Sequence, residues 1–149
     1  MNEWCRQLGK NNVLLISIHC NAAGRGDRWL SARGWCAYTT RGNTRADALA
    51  TSLYTAAQVY LPGHRLRTDY TDADPDLEKD FYLLRHTLAP AVLVENLFMD
   101  NPATAPSSSA PKASNPSLTS MSMASQPTSP PLNEECPVKP SIIRISFCS

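Results

Sequence analysis

The sequence has no apolar run long enough to cross a bilayer, no block of like charge, no closely paired cysteines and only 7% aromatic residues. Each shortage removes a class of function. A membrane-spanning helix needs about 18 to 20 consecutive apolar residues, and nothing here approaches that. Lys and Arg total 14 against 13 Asp and Glu, a net charge of +1, without the basic stripe by which a nucleic-acid binder meets phosphates. The five cysteines, Cys5, Cys20, Cys36, Cys136 and Cys148, are odd in number and irregularly spaced. They fit neither a disulfide framework nor a cysteine zinc site, so buried free thiols are expected. Residues Met1 to Arg6 also lack the charged and then apolar order of a signal peptide.

A chain of 149 residues suits one ordinary domain, but nine of its twelve prolines lie after Asn101. The region able to pack is therefore residues 1–101, and residues 102–149 read as a disordered low-complexity tail rich in Ser, Pro, Ala and Thr. Near its end Ile142, Ile143, Ile145 and Phe147 have the composition of a short strand, for which nothing upstream names a partner.

Within the first hundred residues, apolar periodicity places the elements. Trp4, Cys5 and Leu8 share a helical face that Gly9 ends. Val13 to Ile18 is a near-continuous apolar run, the pattern of a strand buried on both faces, and it leads into His19-Cys20-Asn21. Gly34 to Thr39 reads as a second strand. Thr44 caps a helix with Asp47 three positions on, and Ala46, Leu49, Ala50, Leu53, Tyr54, Ala57 and Tyr60 recur at helical spacing until Leu61-Pro62-Gly63 closes it. Arg65 to Asp80 is charged and irregular, as a surface loop is. Phe81 to Arg85 and Ala91 to Val94 read as two further strands, the second ending on Glu95. Strands alternating with helices predict an α/β fold, a mostly parallel or mixed sheet with helices on both faces.

Polar chemistry begins where two of these strands end. Ligands of open α/β sheets bind beyond the carboxyl ends of strands, and His19 and Glu95 stand at two such ends. If the strands are parallel neighbours, imidazole and carboxylate meet in one cleft. A zinc hydrolase needs such a pair, a neutral imidazole to hold metal and a carboxylate to move the proton of water. The plainer reading makes His19 a hydrogen-bonding strand cap and Glu95 a half-exposed strand end. His64 and His86 read as surface histidines.

The segment LLISIHCNAAG (Leu14 to Gly24) resembles the part of zinc-dependent N-acetylmuramoyl-L-alanine amidases in which an apolar strand runs into Ser-Ile-His and Asn-Ala. PAVLVENLFMDN (Pro90 to Asn101) resembles their later segment, in which a strand ends in the catalytic glutamate, and GWCAYT and FYLLRHTLAP stand in the expected order between. The resemblance implies Zn2+ as cofactor, His19 as a metal ligand and Glu95 as the carboxylate that activates water. It implies peptidoglycan muropeptide as substrate and the periplasm or cell envelope as the place of action. Asn21 and Arg85 are weaker candidates for substrate binding.

Where the pattern is not met, further expectations follow. The family's other two zinc ligands, a histidine in a Gly-His turn and a helical glutamate, belong to a stretch before Met1, so the fold is expected to be incomplete at both ends and the chain inactive. A shifted reading frame near Ala103 would restore an apolar helical pattern over Ser109 to Ser125, which the nucleotide sequence would decide. The alternative is a non-catalytic peptidoglycan-binding remnant or the product of a broken gene. A different zinc peptidase is disfavoured because no HExxH pair is present.

Overall fold

The computed structural model describes residues 1–104 and the strand at 142–147. Its elements, in order, are α1 (Asn2–Leu8), β1 (Val13–Asn21), β2 (Trp35–Thr39), α2 (Arg45–Tyr60), β3 (Leu77–Glu78), α3 (Tyr82–His86), β4 (Ala91–Phe98) and β5 (Ile142–Phe147). They form a five-stranded mixed sheet of order β3-β2-β4-β1-β5. β1 is parallel to β4 and β5, whereas β2 runs antiparallel to β4. The expected α/β class is the one observed.

The apolar runs of β1 and β4 become central strands because both of their faces are covered. On one face Ile16, Ile18, Trp35, Ala37, Val92 and Val94 meet Ala46, Ala50, Leu53, Tyr54 and Ala57 of α2. On the other, the start of the sheet is covered by Leu84 of α3 against Leu15, Ala91 and Leu93, and by Cys5 of α1 against Val13. The beginning of α2 is the capping box read from sequence. Thr44 Oγ1 accepts from the Ala46 amide at 3.2 Å, while Asp47 accepts from the Thr44 amide at 2.5 Å.

Four expectations change. Phe81 to Arg85 is not a strand: residues 82–86 are a single helical turn, with Phe81 packed edge-on to Tyr38 at 5.3 Å. The Arg65 to Asp80 loop is tied down, since Leu66 bridges to Trp35 and β3 pairs in parallel with β2. Cys20 is exposed, although Cys5 and Cys36 are buried free thiols as expected. The strand near the end does find a partner, β1, with Val13 opposite Ile142 and Ile18 opposite Phe147. The disorder read for the tail falls, between residues 105 and 141, outside the residues described, as does the helical pattern of a shifted frame over Ser109 to Ser125.

Candidate active site

Side chains alternate across a strand, so Leu15, Ser17 and His19 of β1 share one face, as do Ala91, Leu93 and Glu95 of β4. His19 lies directly opposite Glu95 in the parallel ladder. The structure therefore brings the two sequence candidates to neighbouring positions. Both strands run past them, β1 to Asn21 and β4 to Phe98, so neither residue is the strand end that the apolar runs predict. The ladder slips between His19 and Asn21, and Leu97 takes a left-handed φ of 64°. That break in alternation sends Leu97 into the α2 core two residues after Glu95.

Each side chain has a defined setting. The His19 Nε2 lies 3.0 Å from Ser17 Oγ, and burial lowers the imidazole pKa, so the ring is neutral near pH 7. Its carbonyl accepts from Asn96 Nδ2 at 3.4 Å, and Asn96 Oδ1 accepts from the Trp35 indole at 3.1 Å. Glu95 is pushed up to about 7 by burial, partly opposed by the Arg67 guanidinium. Its Oε2 is enclosed and has no hydrogen-bond partner. Cys36, across the antiparallel ladder from Glu95, is fully buried with its thiol pKa raised by burial, which makes it an inert neighbour.

Arg67 falls in the charged stretch that the sequence presents as a surface loop, with lining of a substrate groove an equal reading of it. It is held in place instead: its amide donates to the Trp35 carbonyl at 2.8 Å, and its carbonyl accepts from the Tyr54 hydroxyl at 2.7 Å. The guanidinium lies 5.5 Å from the centre of the Phe98 ring and 3.7 Å from Cys36 Sγ. Gly34 makes room for this segment. It sits at φ 121°, and a Cβ there would fall 2.7 Å from the Arg65 carbonyl oxygen. No sequence signal isolates Arg67, because its position comes from tertiary hydrogen bonds.

Beside Arg67 opens a cleft of about 950 Å³ whose walls include Trp29, Arg33, Arg65, Arg67, Phe98 and Asn101. The rim is built by the residues that follow β4. Asp100 Oδ2 accepts from the amides of Ala23 and Gly24, both at 2.7 Å, and Asn101 Nδ2 donates to the Ala32 carbonyl at 2.9 Å. The two weaker candidates fare differently. Asn21 ends β1 beside the pair, its Oδ1 accepting from the Ala22 amide. Arg85 stands on α3, before the start of β4, and pairs with Asp80 at 3.0 Å on the surface. Its helix packs at the end of the sheet opposite Glu95. His86 is exposed and stacks on Tyr82, and His64 is half-buried in the turn after α2.

A sequence model of the N-acetylmuramoyl-L-alanine amidases matches residues 6–115, a stretch that holds both His19 and Glu95. This chain belongs to that family. Among solved structures, the N-acetylmuramoyl-L-alanine amidase AmiC2 of Nostoc punctiforme is similar over 83% of this chain and 58% of its own, at 20% identity and a TM-score of 0.54. That likeness is one of fold. An N-acetylmuramoyl-L-alanine amidase of Clostridium difficile 630 is matched over 60% of this chain and 43% of its own, at 26% identity and a TM-score of 0.49. The chain thus spans about half the length of these amidases. No curated protein matches it.

The amidase resemblance implies zinc, and the residues present meet only part of that need. A catalytic zinc takes three protein ligands. A neutral imidazole at His19 and an orphaned carboxylate oxygen at Glu95 suit the roles of ligand and proton carrier. Yet among the described residues the one group of three His, Cys, Asp or Glu side chains with ligand atoms in mutual reach is Asp47, Asp74 and Asp76. His19 and Glu95 are not a zinc site by themselves. No described helix is long and apolar enough to cross a membrane.

Proposed function

We propose that this chain carries the proton-transfer carboxylate and one metal-holding imidazole of a peptidoglycan amidase. The bond cleaved joins the lactyl group of N-acetylmuramic acid to L-alanine, at the cell envelope. The observation that carries the reading is Glu95: a carboxylate with its pKa near 7 and one enclosed oxygen lacking a donor, directly across the ladder from His19. A group titrating near the working pH is suited to both halves of a proton relay. Glu95 takes a proton from water as the water oxygen adds to the amide carbon. It returns the proton to the alanine nitrogen as the C–N bond breaks, leaving a lactyl carboxylic acid and a free amine.

Arg67 keeps Glu95 from rising further and so sets how readily it gives up its proton. The cleft beside it, with Arg33, Arg65 and Arg67 in its walls, suits the carboxylates of a stem peptide, which guanidinium groups bind in pairs of hydrogen bonds. Zinc belongs to this reading through the family, with His19 as the ligand this chain supplies. One imidazole holds zinc too weakly for turnover, so a polypeptide of these 149 residues is expected to be inactive.

A second reading, a module that binds peptidoglycan without cutting it, is favoured by the lone imidazole and by the arginine cleft. One experiment separates the two: zinc content of the purified chain, together with its binding and hydrolysis of soluble muropeptides. Sub-stoichiometric zinc that His19→Ala removes, without hydrolysis, is the expected result. Stoichiometric zinc with hydrolysis that Glu95→Gln abolishes would overturn the inactivity and retain the amidase chemistry. Hydrolysis unaffected by Glu95→Gln would overturn the role of Glu95, and binding without zinc or hydrolysis would favour the second reading.

A further inference from the structure

From Asp72 to Asp80 every second residue is acidic: Asp72, Asp74, Asp76, Glu78 and Asp80. In a solvated loop these charges would spread into water, but two of them do not. Asp76 is buried to 1% exposure, and its Oδ2 accepts from the Thr39 hydroxyl at 2.6 Å. Its Oδ1 is enclosed and without a donor, and so is the Oδ1 of the half-buried Asp74. The first turn of α2 brings a third carboxylate, Asp47, at 8% exposure. One oxygen from each of the three lies within 4.8 Å of the others.

Charge makes this arrangement incomplete as it stands. Asp74 raises the Asp76 pKa through a side-chain hydrogen bond and like charge, Asp47 raises it through like charge, and the group that opposes them is the Thr39 hydroxyl. Nearby positive charge comes from the start of α2, equivalent to roughly half an elementary charge. Asp47 already spends its oxygens on the Thr44 amide and hydroxyl, which fixes its carboxylate in place. An enclosed carboxylate oxygen with no donor costs free energy unless a cation or a proton meets it. The donors are all oxygen, as hard cations require, with no imidazole or thiolate to favour zinc. Oxygens within 4.8 Å of one another can share one ion bound at about 2.3 to 2.6 Å, the calcium range.

We propose that Asp47, Asp74 and Asp76 form a site for a calcium-sized divalent cation, which ties the start of α2 to the segment entering β3. The site is separate from His19 and Glu95. β2 runs antiparallel to β4, with Trp35 opposite Asn96 and Tyr38 opposite Leu93, so Thr39 and the carboxylates around it lie toward the other end of the sheet. Bound there, the ion anchors the far end of the segment that begins at Arg67.

The test is thermal unfolding and calorimetric titration of the full 149-residue chain, stripped with EDTA, at pH 8 with CaCl2 or MgCl2 added. Calcium is expected to bind one per chain and to raise the Tm saturably by several degrees, with a weaker response to magnesium. Asp76→Asn, which keeps the Thr39 contact and the side-chain volume, is expected to weaken calcium binding at least tenfold, while His19→Ala leaves it unchanged. Should Asp76→Asn fail to fold, Asp74→Asn carries the same expectation. Absence of calcium binding in the stripped chain would overturn the proposal, as would calcium binding by both Asp variants as tight as the parent's. A Tm that rises on acidification while calcium does nothing would assign the cluster to a shared proton and overturn it too.

Discussion

Glu95 and Asp76 are alike in isolation. Burial pushes each up to about 7, and each keeps one enclosed oxygen without a donor. Their neighbours differ. Glu95 has a guanidinium that pulls its pKa back down, and a neutral imidazole across the ladder. Asp76 has two further carboxylates that push its pKa up, and a threonine hydroxyl that lowers it. A single buried carboxylate near a cation can exchange a proton at neutral pH, which is what a relay needs. Asp76, set against two carboxylates and held by one hydroxyl, has no cation among the groups that shift it. Upward shifts of the same direction therefore point to different chemistry, and the surrounding charge decides which.

Five substitutions probe this contrast. The largest effect is expected from Trp35→Ala. Trp35 is 1% exposed, packs edge-on to Tyr54 at 4.9 Å and donates to Asn96, so it joins the α2 core to the strand that carries Glu95. A loss of about 3–5 kcal/mol in urea unfolding is expected, and a loss below about 1 kcal/mol would show that this indole does not brace the strand.

Next comes the dependence of stability on pH. Each carboxylate has a folded pKa above its ordinary value, so the folded chain holds more protons than the unfolded chain between the two. Stability then falls as pH rises from about 4 to about 7. In EDTA, Glu95→Gln and Asp76→Asn are each expected to flatten part of that fall and to be more stable than the parent at pH 8. Calcium is expected to remove the Asp76 part and leave the Glu95 part. A parent chain with flat stability over this range would refute both assignments.

Thr44→Ala removes the cap of α2 and is expected to cost about 1 kcal/mol, while weakening the calcium response because Asp47 loses its hydroxyl partner. An unchanged calcium titration would detach Asp47 from the site. The smallest effect is on Glu95 itself. Arg67→Met is expected to move its carboxyl titration further upward, as followed by carbon NMR, and a downward movement would remove Arg67 from its surroundings.

What could be read from the sequence follows a physical division. β1, β4 and α2 were legible because their apolar spacing is local and strong, and the opposition of His19 and Glu95 needed only that the strands be parallel neighbours. The turn at Tyr82–His86 was misread because five apolar-rich residues carry no period that distinguishes strand from helix. Arg67 and Asp76 were hidden for another reason. In sequence they sit in one charged stretch, and only the Trp35, Tyr54 and Thr39 contacts lift them out of it. Asp100 was within the segment quoted for the family resemblance, yet its two amide bonds to Ala23 and Gly24 depend on a loop whose course the sequence does not reveal.

That aspartate has a mechanical consequence. His19 leads by four and five residues to the amides that Asp100 grips, and Glu95 leads by five residues to Asp100 itself. Together with the ladder between β1 and β4, the grip closes a small ring that contains both residues. The segment beyond the ring, which gives Trp29 and Arg33 to the cleft wall, is tied to the same corner, its Leu30 amide donating to the Asp100 carbonyl at 2.8 Å and its Ala32 carbonyl accepting from Asn101, so the shape of the cleft follows the position of β4.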